Sequence, residues 1–155
     1  MAERAWVGPA SSRADEEALI RRMLAESRTI AVVGASIKPY RPSYFVSKYM
    51  HDQGYRILPV NPGCAGRVLH GEPVQPDLAS LPLVPDMVAI FRRSEHAGAV
   101  ADIASTLGVR FIWMQVGIRD DEAAERVRAR GGFVVMGRCL MVEHARLPRR
   151  GSIRQ

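Results

Sequence analysis

The segment AVVGASIKPYRPSYFV, residues 31–46, places a hydroxyl group and two cations directly after an apolar run. The apolar run predicts a buried strand that ends at Gly34, and Pro42 is typical of the first residue of a helix. The loop between them carries three polar residues, Ser36, Lys38 and Arg41. Because a helix N-terminus exposes unpaired N–H groups and the positive end of the helix dipole, it stabilises an anion. These residues predict phosphate binding, and the alternative is a plain loop with exposed cations.

The glycine content of this loop separates it from two common motifs. Only the first glycine of the G-x-G-x-x-G pattern is present, because Ala35 and Ser36 follow Gly34. The same residues also lack the G-x-S-x-G spacing of a hydrolase nucleophile. Gly34 permits close approach of the backbone to a ligand, and the Ser36 hydroxyl can donate to a phosphate oxygen.

The segment after the second predicted strand lacks an acidic residue. An NAD-binding fold normally places a carboxylate there to bind the adenosine ribose. This chain has Pro59, Val60, Asn61 and Pro62 instead. The missing carboxylate counts against NAD and removes a group that would repel a phosphate on the ribose. The alternative is a purely structural turn, in which Asn61 forms an Asx turn between two prolines.

Two later strand ends add further candidates. Phe91 could pack against an adenine or a pantetheine, with Arg92 or Arg93 near phosphate. The alternative is that Phe91 is a core residue and Arg93 is exposed to solvent. Gln115 offers a neutral hydrogen-bonding group, and Gly117 allows close backbone approach. The strand ends carry no carboxylate pair, no Ser-His-Asp order and no metal cluster, which favours binding over catalysis. The histidines are scattered over predicted helices and loops, at His51, His70, His96 and His144.

These candidates need a fold that gathers strand ends at one edge. Helical patterns alternate with short apolar runs, from a capped helix at residues 12–27 to a last strand at residues 133–136. The alternation predicts an α/β class, a single Rossmann-like doubly wound parallel sheet with helices on both faces. We expect the strand order 3-2-1-4-5, with a short third strand near Val74, and we expect Ser94 to cap a helix. Ligands of such sheets bind outside the carboxyl ends of the strands.

Length and composition fit one globular domain. The 155 residues are 47% hydrophobic and 25% charged. We expect an N-terminal extension at residues 1–11, a ligand-binding domain at residues 12–147 and a basic tail at residues 148–155. No apolar run approaches the length of a membrane span and the N-terminus lacks a hydrophobic signal core, which predicts a cytoplasmic protein that does not bind membranes.

The net charge of +6 suits a polyanionic small molecule. Four arginines concentrate near the C-terminus, Arg146, Arg149, Arg150 and Arg154. A solvated tail is favoured over a nucleic-acid arm, because the tail has no aromatic residues on which bases could stack.

Several motifs occur in order along the chain: IAVVGAS, RPSY and PVNPG in the first half, and PDMV, IFRRSE, WMQVGI and RCLMVEHARL in the second. With them the sequence resembles the small CoA-binding-domain proteins. That family looks like a free-standing version of the CoA-binding Rossmann domain of the succinyl-CoA synthetase α subunit. The resemblance covers residues 15–147. Gly137 departs from it, because the family is expected to have a polar or acidic residue before RCL.

The resemblance implies that the ligand is coenzyme A, which carries a pyrophosphate and a ribose 3′-phosphate. It implies that phosphates are held by Gly34, Ser36, Lys38 and Arg41. It implies that the adenosine side is lined by Pro59, Asn61 and Pro62. The cofactor-binding set also includes Ala35, Pro42 and Val60, beside these residues. It implies that the pantetheine side is bordered by Phe91, Arg92, Gln115 and Gly117. The synthetase's second domain, with its phosphorylated histidine, has no counterpart, and His144 is not equated with that histidine.

Three functions stay open at this point. The first is a CoA or acyl-CoA binding protein without catalytic machinery of its own. The second is a non-catalytic CoA-binding component of a split acyl-CoA synthetase or transferase, which works with a separate subunit. A homodimer and a partner enzyme subunit are both open as partners of the chain. The third is a regulator that senses a nicotinamide nucleotide. Cys139 is interpreted as a small buried residue or, alternatively, as a thiol that forms a mixed disulfide with CoA.

Overall fold

Short apolar runs form the central sheet of the protein. A computed structural model describes residues 12–148. The strands are β1 (Thr29–Val33), β2 (Arg56–Val60), β3 (Val68–Leu69), β4 (Glu72–Pro73), β5 (Met87–Ile90), β6 (Phe111–Met114) and β7 (Phe133–Val135). Strands β3 and β4 form a separate antiparallel hairpin. In the other five strands almost every residue is buried, as a parallel sheet covered on both faces requires.

Helices cover the two faces of the sheet. They are α1 (Arg13–Glu26), α2 (Pro42–Asp52), α3 (Ser94–Thr106), α4 (Asp121–Ala129) and α5 (Leu140–Ala145). Helices α1, α2 and α5 bury apolar side chains in one core cluster, which contains the fully buried Trp113. Helices α3 and α4 bury small residues in a second cluster on the opposite face. The predicted α/β class with helices on both faces is therefore confirmed.

The order of the main sheet is β2-β1-β5-β6-β7, and every pairing in it is parallel. The predicted third strand near Val74 is reduced to a single parallel bridge between Val60 and Gln75, which lies beside β2 as the predicted order requires. Pro73 and Pro76 flank this segment, and proline cannot donate to a ladder. Strand β7 extends the opposite edge of the sheet.

Side-chain caps define the start of two helices. The Ser12 hydroxyl accepts from the Asp15 amide at 3.1 Å at the start of α1. The Asp120 carboxylate accepts from the Ala123 amide at 3.0 Å at the start of α4. Both caps satisfy a backbone N–H that has no acceptor within its own helix.

The prediction that Ser94 caps α3 is wrong. Arg93 occupies the N-cap position without a side-chain cap, and Ser94 is the first helical residue. The Ser94 hydroxyl accepts from the Arg119 amide at 3.1 Å and donates to the Gly117 carbonyl at 3.4 Å. The hydroxyl therefore ties the start of α3 to the loop after β6.

The predicted extension at residues 1–11 and all but the first residue of the predicted tail lie outside the described residues. Within residues 12–148, no helix combines the length and apolarity needed to cross a bilayer.

Candidate functional site

A cavity of about 360 Å³ opens at the carboxyl edge of the sheet, beside the start of α2. It is lined by Gly34, Ala35, Ser36, Lys38, Arg41, Pro42, Ser43, Asn61 and Phe91. Strand β1 lies between β2 and β5, so the chain adds strands on one side of β1 and then on the other. The cavity lies at this topological switch point. Ligands of open α/β sheets bind at this point. All of the lining residues except Ser43 are candidates that the sequence predicts.

Gly34 is required by two features of the turn after β1. Its φ is +91°, which favours glycine, and its amide donates to the Val60 carbonyl at 3.0 Å. A Cβ at this position would lie 3.2 Å from the backbone carbonyl carbon of Phe91 and 3.3 Å from Cδ of Arg92. Gly34 therefore allows the ends of β1, β2 and β5 to approach each other closely.

Asn61 holds the second loop against the first. Its Nδ2 donates to the Ala35 carbonyl at 2.7 Å, and its Oδ1 accepts from the Gly63 amide at 2.8 Å. The Asx turn offered as an alternative for Asn61 is present. Pro62 begins a short 3₁₀ turn, Pro62–Cys64, and is exposed.

The loop before α2 presents cations without acidic partners. The Ser36 hydroxyl oxygen accepts from the Lys38 amide at 3.0 Å, which leaves the hydroxyl hydrogen available to a ligand. Lys38 and Arg41 are exposed, and neither makes an ion pair within the described residues. The Arg41 guanidinium lies 5.8 Å from the centre of the Tyr40 ring. Both positive charges are therefore free to meet an anion.

The start of α2 adds the dipole of an uncapped helix. Arg41 is the N-cap residue without a side-chain cap, and the first turn has no acidic residue. Pro42 has no N–H, and the Tyr44 amide donates back to the Arg41 carbonyl at 2.9 Å. Ser43, between them, is buried and lines the cavity. The positive end of the dipole adds to the two cations.

Three predicted residues support the site from outside the cavity lining. Pro59 and Val60 are buried within β2, and the Val60 carbonyl accepts from the amides of Gly34 and Ala35. Gln115 is buried, and its Oε1 accepts from the Leu140 amide at 2.9 Å. The Gln115 carbonyl oxygen therefore holds the start of α5.

Arg92 and Gly117 lie beside the carboxyl edge. The half-buried Arg92 follows β5, and its side chain passes close to Gly34. Gly117 is exposed in the loop after β6 and has a φ of +80°.

Both cysteines are half-buried and pack against the same core cluster. Cys139 is the N-cap residue of α5. The Cys64 thiol lies 3.8 Å from the Ala35 carbonyl, which belongs to the cavity lining. The mixed disulfide between Cys139 and CoA stays a prediction.

His70 joins the β3–β4 hairpin to α2. Its φ is +51°, and its Nε2 lies 2.9 Å from the Ser47 hydroxyl. Because Ser47 donates its proton to the Ser43 carbonyl at 2.5 Å, the Ser47 oxygen accepts from Nε2–H of His70. Burial, and then the stacked ring of His51, lower the pKa of His70. A chain of hydrogen bonds thus runs from the hairpin to the cavity.

Ser43 is the lining residue that we did not predict. The sequence signal was available, because Pro42 at the first helical position makes Ser43 the second residue of α2. Its burial against the cavity depends on the docking of α2 and could not be inferred from the spacing.

Comparisons with known proteins cover the whole region that forms this cavity. The sequence model of a family described as CoA binding domain matches residues 28–145. The uncharacterized protein YneT of Bacillus subtilis is 37% identical over 129 residues, which are 83% of this chain and 94% of YneT.

Two solved structures share the fold over nearly their full length. The cell-free ID.343 protein from Thermus thermophilus superposes with a TM-score of 0.80 at 38% identity, over 84% of this chain and 97% of that chain. A hypothetical protein from Pyrococcus horikoshii OT3 gives a TM-score of 0.80 at 31% identity, over 95% of this chain and 98% of that chain.

Proposed function

Because this chain belongs to the CoA binding domain family, we propose that it binds coenzyme A or an acyl-CoA in the cavity at the carboxyl edge of its sheet. The observation that carries the proposal is the cationic, uncapped start of α2 at this cavity. Lys38 and Arg41 supply full charges there, and the helix dipole supplies a partial one. CoA offers three phosphate groups to meet them.

The neighbouring strand ends suit the two uncharged parts of the ligand. The adenosine lies along the β2 side, where Asn61 replaces the carboxylate of an NAD site. A carboxylate at this position would repel the 3′-phosphate, whereas the Asn61 amide does not. The pantetheine extends along the β5 side, past Phe91 and Arg92. This arrangement favours CoA over NAD.

The cavity lining supports binding without chemistry. Among the described residues the lining includes no His, Cys, Asp or Glu, so Ser36 and Ser43 have no imidazole or carboxylate in the lining to activate them as nucleophiles. We therefore propose that the chain carries CoA or acyl-CoA without turning it over. Incubation with acetyl-CoA tests this point, because release of free thiol above the uncatalysed rate would overturn it.

Isothermal titration tests the ligand. We expect CoA to bind more tightly than NAD, and a higher affinity for NAD would contradict the proposal. Arg41→Ala should weaken CoA binding about tenfold. This loss of affinity is at the lower end of the range for a charge-assisted hydrogen bond, because Arg41 is exposed to solvent. Arg130→Ala is the matched control, since Arg130 is an exposed arginine at the end of α4, at the amino edge of the sheet. Its affinity for CoA should equal that of the wild type.

A further inference from the structure

Ser43 is a buried residue whose hydroxyl forms no hydrogen bond with any described residue. The residue is 5% exposed as a whole, but its Oγ keeps accessible surface, since among the described residues the buried side-chain atom without a partner is the Ser27 Oγ. A polar atom that is open to a cavity can meet a ligand in place of water. Ser43 also lines the cavity, which makes the cavity the place from which a partner can reach it.

The backbone of the same residue presents a second donor. In the first turn of α2 the Arg41 amide donates to the Lys38 carbonyl at 3.0 Å and the Tyr44 amide donates to the Arg41 carbonyl at 2.9 Å. Pro42 has no N–H. The Ser43 N–H has no acceptor among residues 12–148. Its N–H and hydroxyl are therefore two unpaired donors on one residue at the cavity.

The position of Ser43 is fixed by a hydrogen bond to its carbonyl group. Its carbonyl accepts from the Ser47 hydroxyl at 2.5 Å, and Ser47 in turn contacts His70. Lys38 and Arg41, by contrast, are exposed side chains on the loop. Donors held in one geometry suit one arrangement of acceptors, whereas exposed cations attract any nearby anion.

We infer that Ser43 is a ligand-binding residue, whose N–H and hydroxyl both donate to the pyrophosphate of the bound CoA. This inference rests on the proposed function. Ser43 follows the central strand β1, between the adenosine side at Asn61 and the pantetheine side at Phe91. The pyrophosphate is the part of CoA that joins adenosine to pantetheine. Lys38 and Arg41 contribute attraction that depends on salt.

Titration of two ligands tests the assignment. Ser43→Ala should weaken CoA about tenfold to a hundredfold, the effect of losing one hydrogen bond to a charged group. Dephospho-CoA has the pyrophosphate but lacks the 3′-phosphate. We expect the same fold-loss for it, and a loss confined to CoA would overturn the assignment to pyrophosphate.

Salt dependence separates Ser43 from the cations. The slope of log affinity against log salt should be unchanged in Ser43→Ala and shallower in Arg41→Ala. An equally reduced slope in both variants would contradict the division of roles.

Stability separates a ligand-binding role from a structural one. Because no described residue pairs with the Ser43 hydroxyl, Ser43→Ala should keep or raise the melting temperature of the ligand-free protein. A clear decrease would overturn the inference. Ser27→Ala is the control, since Ser27 is equally buried as a residue and its hydroxyl has no partner among the described residues, but it lies before β1, at the amino edge. It should leave CoA affinity unchanged.

The outcomes distinguish an error in the proposed function from an error in the role of Ser43. If the wild type fails to bind CoA, the proposed function is wrong. If the wild type binds CoA and Ser43→Ala binds it equally well, the proposed function stands and the role of Ser43 is wrong.

Discussion

The side-chain amide of Asn61 donates to the carbonyl of Ala35 at 2.7 Å and so joins the loops that follow two neighbouring strands. Both residues line the cavity. Asn61 thus has a structural role and also occupies the position at which an NAD-binding fold uses a carboxylate. The same side chain shapes the cavity and keeps negative charge out of it.

Replacing Asn61 separates these two effects. Asn61→Asp keeps the acceptor for the Gly63 amide, loses the donor to Ala35 and adds a negative charge. Asn61→Ala loses both hydrogen bonds without adding charge. Because the new carboxylate repels the ligand phosphates, we expect Asn61→Asp to weaken CoA binding more than Asn61→Ala. Titration of both variants checks this, and the reverse order would show that Asn61 acts on the ligand through shape alone.

A second prediction concerns the close approach at Gly34. Gly34→Ala forces an L side chain to a φ of +91°, which costs about 1–2 kcal/mol, and brings its Cβ against the backbone of Phe91. Gly54→Ala is the matched control, because Gly54 has a φ of +101° and no atom of the described residues would meet a Cβ there within 4 Å. Chemical denaturation should show the larger loss for Gly34→Ala. Only that variant should also lose CoA affinity.

Equal loss of stability in the two glycine variants would mean that the backbone at Phe91 yields to the new side chain. In that case the strand ends would be less closely packed than the structure shows.

Acid should loosen the contact between His70 and α2. The pKa of folded His70 lies below its usual 6.5, chiefly because of burial and the ring of His51. Lys48 also lowers this pKa, whereas the Tyr44 carbonyl and Asp52 raise it. The unfolded chain therefore binds a proton more readily than the folded one. His70 contributes stability above about pH 6.5, and this contribution is lost as pH falls through the folded pKa.

His70→Asn should therefore reduce the loss of stability on acidification. Asparagine tolerates the positive φ of this turn but does not titrate. Burial lowers the pKa of His144 as well, so part of the acid sensitivity should persist in the variant. Melting temperatures between about pH 7.5 and about pH 5.5, roughly one unit either side of an ordinary histidine pKa, give the measurement. A profile identical to that of the wild type would contradict the role of His70. His96→Asn, at an exposed position on α3, serves as the control.

The loop before α2 is the part of the site that sequence reasoning predicts best. Pro42 identifies the helix start, and the rule for parallel sheets then selects the residues from Gly34 to Arg41. Side chains that could either bind a ligand or form a hydrogen bond within the fold are harder to assign. Gln115 suits a ligand by type, but its carbonyl oxygen accepts from Leu140, which is 25 residues away in sequence.

Ser43 and the segment near Val74 show the limit of local patterns. The burial of Ser43 depends on how α2 docks on the sheet. The segment near Val74 keeps its predicted place beside β2, but its neighbouring prolines restrict it to one bridge. Both outcomes follow from tertiary packing, which spacing along the chain does not encode.

The most direct test of the central claim is a crystal structure of the protein grown with excess CoA. We predict the pyrophosphate at about 3 Å from the N–H and hydroxyl of Ser43, with the adenosine on the Asn61 side. A structure in which the ligand lies elsewhere, or in which protein side chains fill the cavity although CoA binds in solution, would contradict the account.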